Sequence, residues 1–186
     1  MPESNNQNFN HLKVHTQYSI CEGAIKIDRL KDFCKENKIP CLGISDTSNL
    51  CGALEFAENI SKVGTQPIIG TQIYFKFEDT TGLLPLIALN EKGYKRIIEL
   101  SSRSYLENDA LSDPHLNIKE ILKDTEGVLL LSGTIQGLFG KLFQKGRLDE
   151  ITRIYKSLSS KFNDNFYLEI QRHGDQNEIA FEKFNL

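Results

Sequence analysis

Short apolar runs alternate with amphipathic helical segments along nearly the whole chain, and this alternation restricts the fold more than any other feature. Apolar residues recur at helical spacing in "EKGYKRIIELSSRSYL", residues 91–106, and again over residues 148–162. Repeated strand–helix alternation predicts an α/β fold with largely parallel strands. We expect strands at His11–Val14, Leu42–Ile44, Ile68–Phe77, Leu84–Leu89, Val128–Leu131 and Phe166–Ile170.

Polar clusters follow several of these predicted strands. "HTQYS" comes after the first strand, "SDTSN" after the second, and "LSGT" after the strand that begins at Val128. In α/β folds the functional groups collect at the carboxyl ends of parallel strands. The sequence therefore predicts that a functional site brings these clusters together.

The first predicted strand carries an unusual set of side chains. His11, Lys13 and His15 alternate with Leu12 and Val14, so the two imidazoles and the ammonium share one face. Two histidines on one face indicate a metal site, with His11 and His15 as candidates, although His11 fits a strand-end histidine bonded to backbone equally well. A protonated lysine has no lone pair for a metal, and it repels a unit positive charge by about 4 kcal/mol at ~4 Å with an effective dielectric of ~20.

Composition excludes several classes of protein. The chain of 186 residues has a net charge of -3, whereas a dedicated nucleic-acid-binding domain usually carries a basic surplus. No apolar run approaches the ~20 residues of a membrane-spanning helix. The start, "MPESNNQNFN", lacks the apolar segment of a signal peptide, and residues 1–8 are predicted to form a flexible polar tail. We expect a cytoplasmic protein that binds no membrane.

The cysteines add no metal module. Cys21, Cys34, Cys41 and Cys51 form no CxxC pair, and their spacing to histidines does not match a zinc-binding domain. Reduced thiols in a cytosolic protein are the simplest interpretation.

Several motifs in a fixed order resemble one family. "HLKVHTQYSICEGA", "SDTSNLCGALEF", "QPIIGTQIYF", "LIALNEKGYKRIIEL", "GVLLLSG" and "FYLEIQRHG" are similar to the N-terminal PHP (polymerase and histidinol phosphatase) domain of bacterial DNA polymerase III alpha subunits. The resemblance covers residues 9–174 and implies a distorted β/α barrel. We expect residues 9–186 to form this domain, incomplete at its C-terminus, because "QNEIAFEKFNL" begins a helix that no strand follows.

The resemblance also implies where metal ligands would lie. In metal-binding members the first motif is similar to HxHxHT, and its last two histidines are ligands; Lys13 and His15 stand at those positions. The second motif is similar to TDHxN. Its ligand histidine is replaced by Thr47, while Asp46 matches the neighbouring aspartate.

The remaining ligand positions are altered in part. A glutamate of the family matches Glu55, a strand histidine falls at Leu83, and a cysteine falls at Thr134. Only His15 and Glu55 therefore keep a metal-binding side chain. We expect a degenerate metal site, with His11 and Asp46 as further candidates and no confident ligand set.

The presence of Lys13 is explained if its positive charge replaces that of a metal ion. We hypothesise that Lys13 supplies the positive charge that a metal would supply and pairs with Glu55, with Asp46 as a further candidate partner, because a buried carboxylate without a partner is costly. The alternative is that Lys13 extends to solvent and Glu55 lies on a helix surface.

The resemblance implies a non-catalytic part of a DNA-directed DNA polymerase. Its partners would be the rest of the polymerase chain, the proofreading exonuclease subunit and other replicase subunits, with DNA bound mainly by other regions. The implied polymerase uses Mg²⁺ on carboxylates outside this sequence, and we expect no catalytic residue or cofactor in residues 1–186. The alternatives are a Zn²⁺- or Mn²⁺-dependent phosphoesterase or 3′–5′ exonuclease and, ranked last, a free-standing phosphatase such as a histidinol phosphatase.

Overall fold

The structure, a computed structural model, describes residues 9–109 and 111–186. The helices within these ranges are α1 (Ile27–Asn37), α2 (Ala53–Ser61), α3 (Glu91–Leu106), α4 (Leu138–Gln144), α5 (Leu148–Phe162) and α6 (Gln176–Asn185). The strands are β1 (Cys41–Thr47), β2 (Gln66–Phe77), β3 (Thr80–Ala88), β4 (Leu116–Asn117), β5 (Val128–Leu131) and β6 (Phe166–Tyr167). The tail predicted for residues 1–8 lies outside the described residues. None of the described helices has the length and apolar character needed to cross a bilayer.

The strands form one mixed, open sheet in the order β1-β2-β3-β5-β6, with the short β4 paired to β2. The α/β class is confirmed, and the sheet is not closed into a barrel. β1 and β2 are parallel, as are β5 and β6, but β3 runs antiparallel to both of its neighbours. The expectation of largely parallel strands is therefore wrong for β3. Only Glu78 and Asp79 separate β2 from β3, and so short a connection forms a hairpin, since a parallel crossover needs a dozen or more residues.

The two outermost predicted strands are shorter than expected. The segment predicted as His11–Val14 makes a single parallel bridge, between Val14 and Ile44, on the side of β1 away from β2. The Val14 N–H donates to the Gly43 carbonyl at 3.2 Å, and the Ser45 N–H donates to the Val14 carbonyl at 2.9 Å. At the other end of the sheet, the strand predicted as Phe166–Ile170 is regular only over β6.

Helix packing divides the core into two clusters. The larger cluster packs α3, α4 and α5 against β2, β3 and β5, and it includes the fully buried Phe75 and Phe139. The smaller cluster packs α1 and α2 against β1 around Phe56. Helices α3 and α5 have the predicted bounds. Helix α3 begins after Asn90, whose side-chain oxygen accepts a hydrogen bond from the Gly93 N–H at 3.0 Å, a typical N-terminal cap.

A glycine inside α3 allows this helix to approach the backbone before β5. A Cβ atom on Gly93 would lie 1.7 Å from the carbonyl oxygen of Gly127. A glycine-to-alanine change normally stabilises a helix by about 1 kcal/mol. We predict the opposite sign here, with Gly93→Ala lowering the free energy of unfolding by about 2 kcal/mol because backbone atoms must move apart.

Urea denaturation followed by circular dichroism measures this change. Ser102→Ala, at an exposed position of the same helix, is the control and should shift the free energy of unfolding by less than about 0.5 kcal/mol. A stabilised Gly93→Ala variant would show that the close approach is absent.

Candidate functional site

A cavity of about 300 Å³ lies where polar side chains from the strand ends converge. We call it the central cavity. Its lining residues are Lys13, His15, Glu22, Gln72, Leu83, Pro85, Gly133, Thr134, Gln136, Gly137 and Gln171. Four of these, Lys13, His15, Leu83 and Thr134, stand at positions that the resemblance assigned to metal ligands. The structure therefore brings together residues that are far apart in the sequence and were matched to ligands one by one.

Lys13 forms an ion pair at the cavity wall, but its partner differs from the prediction. Its Nζ atom lies 2.7 Å from Oε1 of Glu169, just after β6, and the two side chains are 19% and 13% exposed. The predicted pairing of Lys13 with Glu55 or Asp46 is wrong. Each of those carboxylates is bound by other donors, and the segment after β6 brings Glu169 to Lys13 instead.

Asp46 is buried in a hydrogen-bond network that fixes the turn after residues 11–14. Its Oδ1 accepts from the Thr16 N–H at 2.6 Å and from the Ser19 hydroxyl at 2.6 Å. Its Oδ2 accepts from the Thr16 hydroxyl at 2.7 Å. Only 2% of the Asp46 surface is exposed, and these three protein donors occupy most of the acceptor capacity of its carboxylate. It shapes the loop that carries His15, and it does not line the central cavity.

The two candidate histidines have different surroundings. His15 lines the central cavity, and its Nδ1 lies 3.4 Å from the Ser19 hydroxyl oxygen. His11 is exposed and packs edge-on against Phe9, with ring centroids 4.9 Å apart. His11 is not among the lining residues of the central cavity, so only His15 of the pair belongs to it.

Glu55 lies on the first turn of α2 and binds a tyrosine. The Tyr18 hydroxyl donates to Glu55 Oε2 at 2.7 Å. This hydrogen bond, with the charge of the carboxylate beside the ring, raises the pKa of the Tyr18 hydroxyl above its ordinary value. Glu55 does not line the central cavity, so the two retained ligand residues, His15 and Glu55, are not brought together there.

Thr47 takes part in a chain of polar contacts at the end of β1. The Gln72 side-chain amide donates to the Thr47 hydroxyl at 2.8 Å, and this hydroxyl in turn donates to Glu22. Both Gln72 and Glu22 line the central cavity. The Thr47 hydroxyl thus stands at the position where the resemblance places a histidine, and the Gln72 amide lies beside it.

The side chains around the central cavity do not fit a zinc or manganese ion. Among residues 9–109 and 111–186, no group of three or more His, Cys, Asp or Glu side chains is arranged to bind a metal. A tetrahedral zinc site needs at least three protein donors. The ammonium of Lys13 and the apolar side chain of Leu83 supply none, and Asp46 lies outside the cavity lining and already accepts three hydrogen bonds.

Sequence reasoning missed Glu169 and Tyr18. A signal for Glu169 was present, because Glu169 stands alone between Leu168 and Ile170 just as Lys13 stands alone between two apolar residues. Opposite charges isolated in two apolar segments favour a pairing between them, since a buried charge needs a partner. For Tyr18 no comparable pattern exists in the sequence.

The Asp46 network yields a stability prediction. We expect Asp46→Asn to lower the free energy of unfolding by about 2–4 kcal/mol, because hydrogen bonds to a buried carboxylate are lost or weakened. Urea denaturation measures the change. Asp28→Asn, a 74% exposed carboxylate at 3.6 Å from Lys31, is the matched control and should change it by less than about 0.5 kcal/mol. Equal effects of the two variants would contradict the network.

The Tyr18–Glu55 contact yields a titration prediction. Glu55→Gln should return the pKa of Tyr18 toward its ordinary value of about 10, measured by NMR of the labelled tyrosine ring. Because the folded-state pKa is raised, the stabilisation exists below the unfolded-state pKa and is lost as the pH rises through the folded-state pKa. An unchanged Tyr18 titration in Glu55→Gln would refute the contact.

Comparison with known proteins agrees with the resemblance. A family model described as "PHP domain" matches residues 11–173. DNA polymerase III subunit alpha of Caulobacter vibrioides is 36% identical over 195 residues, and the match covers 98% of this chain. The corresponding protein of Borreliella burgdorferi is 34% identical over 177 residues and covers 89% of this chain. The chain spans only 17% and 15% of the lengths of these two relatives.

A solved structure shares the fold. A chain from Bifidobacterium adolescentis, described as a metal-dependent phosphoesterase, superimposes with a TM-score of 0.56 at 13% identity, covering 95% of this chain and 83% of that one. At this identity the likeness concerns the fold alone. The family model, in contrast, matches the amino-acid sequence itself over residues 11–173, and the chain belongs to the PHP domain family.

Proposed function

We propose that this chain is the N-terminal PHP part of a bacterial DNA polymerase III alpha subunit and serves there as a structural and interaction domain without catalysis of its own. One observation carries the proposal. Lys13, Leu83 and Thr134 occupy three of the ligand positions that converge on the central cavity, and none of them supplies the imidazole or thiolate of the metal-binding family members.

Relatives named DNA polymerase III subunit alpha support the first half of the proposal. The whole protein would carry out DNA-templated DNA synthesis in the cytoplasm, as a nucleotidyltransferase with Mg²⁺ bound by carboxylates outside these 186 residues. The net charge of -3 favours DNA binding through other regions. The domain would instead contact the rest of the polymerase chain, the proofreading exonuclease subunit and other replicase subunits.

The chemistry of the central cavity supports the second half. Metal-dependent phosphoester cleavage requires cations that polarise the phosphate and lower the pKa of a bound water. Here Lys13 supplies a fixed positive charge, and its pairing with Glu169 neutralises that charge locally. An ammonium held in this way cannot generate a metal-bound hydroxide, so the arrangement favours a structural role.

Metal analysis and an activity assay test the proposal together. We expect the purified chain, dialysed and then incubated with Zn²⁺ or Mn²⁺, to retain far less than one metal ion per chain. We expect it to cleave neither a phosphoester nor the 3′ end of single-stranded DNA. Near-stoichiometric metal together with metal-dependent hydrolysis would favour the alternative, an active phosphoesterase or 3′–5′ exonuclease.

A variant with restored donors serves as the positive control. Lys13→His, Leu83→His and Thr134→Cys together place three metal-binding side chains around the cavity that already contains His15. We expect this triple variant to bind Zn²⁺ measurably more tightly than the original chain, because zinc prefers imidazole and thiolate donors. Equal, tight zinc binding by both proteins would contradict the proposed loss of the metal site.

A further inference from the structure

The Lys13–Glu169 ion pair joins the two ends of the sheet. Lys13 lies in the segment beside the outer edge of β1, and Glu169 follows β6, which is the last strand in the order β1-β2-β3-β5-β6. The two residues are 156 positions apart in the chain. A flat sheet would hold its first and last strands far apart, since neighbouring strands lie about 4.8 Å from each other. The sheet therefore curls, without closing, until one side chain from each end comes into contact beside the central cavity.

No other polar contact performs this task in the described part of the chain. Among residues 9–109 and 111–186, the Lys13–Glu169 pair is the only hydrogen bond or ion pair between residues 9–47 and residues 128–186. Both Lys13 and Gln171 also line the central cavity. The pair thus lies at the meeting point of the two ends.

The surroundings of Glu169 make the pair hard to replace. Its backbone N–H donates to the Ser132 hydroxyl at 2.9 Å, which fixes the Glu169 backbone beside the residue that follows β5. Its second carboxylate oxygen, Oε2, is buried and has no hydrogen-bond partner among the described residues. Without the Lys13 ammonium, a largely buried carboxylate would have no counter-charge, which is more costly than the pair itself.

We propose that the Lys13–Glu169 ion pair is an electrostatic clasp that holds the open sheet in its curled form and keeps the central cavity closed on that side. The clasp is a mechanical device and goes beyond the proposed function, because it does not depend on whether the domain catalyses a reaction. Opening it would release two end segments, residues 11–16 and 166–171, while the helical core on β2, β3 and β5 stays packed.

Amide hydrogen exchange of the 186-residue chain tests the clasp. In Lys13→Met and in Glu169→Gln, we expect the amides of Val14 and of residue 169, the reporters of the two end segments, to exchange about tenfold faster than in the original chain, after each rate is divided by the intrinsic rate of its own local sequence. The amide of Leu158, in the buried core of α5, should keep its rate. Lys95→Met is the matched control, because it removes the same charge from a pair in which Lys95 and Glu91 are 72% and 80% exposed.

A charge swap separates the clasp from other effects of substitution. The double variant Lys13→Glu/Glu169→Lys restores opposite charges and should recover most of the lost protection at both reporters, whereas Lys13→Glu alone should lose more than Lys13→Met does. Three results would overturn the proposal: reporter rates equal to those of Lys95→Met, equal acceleration at Leu158, or a double variant no better protected than the single ones.

Discussion

One ion pair sets the shape of the region where a functional site would lie. Lys13 reaches Glu169 across the open side of the sheet at 2.7 Å, and both side chains are largely buried. A buried charge needs a partner of opposite sign, so the ammonium and the carboxylate hold the two ends of the sheet together. The side chains between these ends, among them His15 and Thr134, then face a common cavity. The resemblance places metal ligands of relatives at these positions, and we propose that the Lys13 charge, balanced by Glu169, takes the place of a cation there.

A second buried carboxylate organises the turn that follows His15. Asp46, at the end of β1, accepts hydrogen bonds from Thr16 and Ser19 and so binds the turn after the first segment to the sheet. Tyr18 in the same turn reaches Glu55 on α2. Residues of a metal-site motif are thus used for packing and loop positioning. We propose that this use lets the chain keep the order of its family's motifs without a full set of metal donors.

Local patterns predicted local structure well and long-range pairing poorly. Helices α3 and α5 were predictable to the residue, because helical periodicity and the polar residues at their ends agree with the packing. The antiparallel β3 was not anticipated, although the two residues between β2 and β3 are too few for a crossover. The partner of Lys13 was misassigned to Glu55. The motifs predicted that the ligand positions share one site. They could not show that the chain after β6 places Glu169 closer to Lys13 than Glu55 is.

The account depends on the claim that the Lys13 ammonium, paired with Glu169, stands at the central cavity where metal-binding relatives would hold a cation. Diffraction at the manganese absorption edge, from crystals of this chain grown with Mn²⁺, tests the claim most directly. The account predicts no anomalous peak in the central cavity and continuous density between the Lys13 ammonium and the Glu169 carboxylate. A strong anomalous peak beside His15, with Lys13 turned away from Glu169, would contradict it.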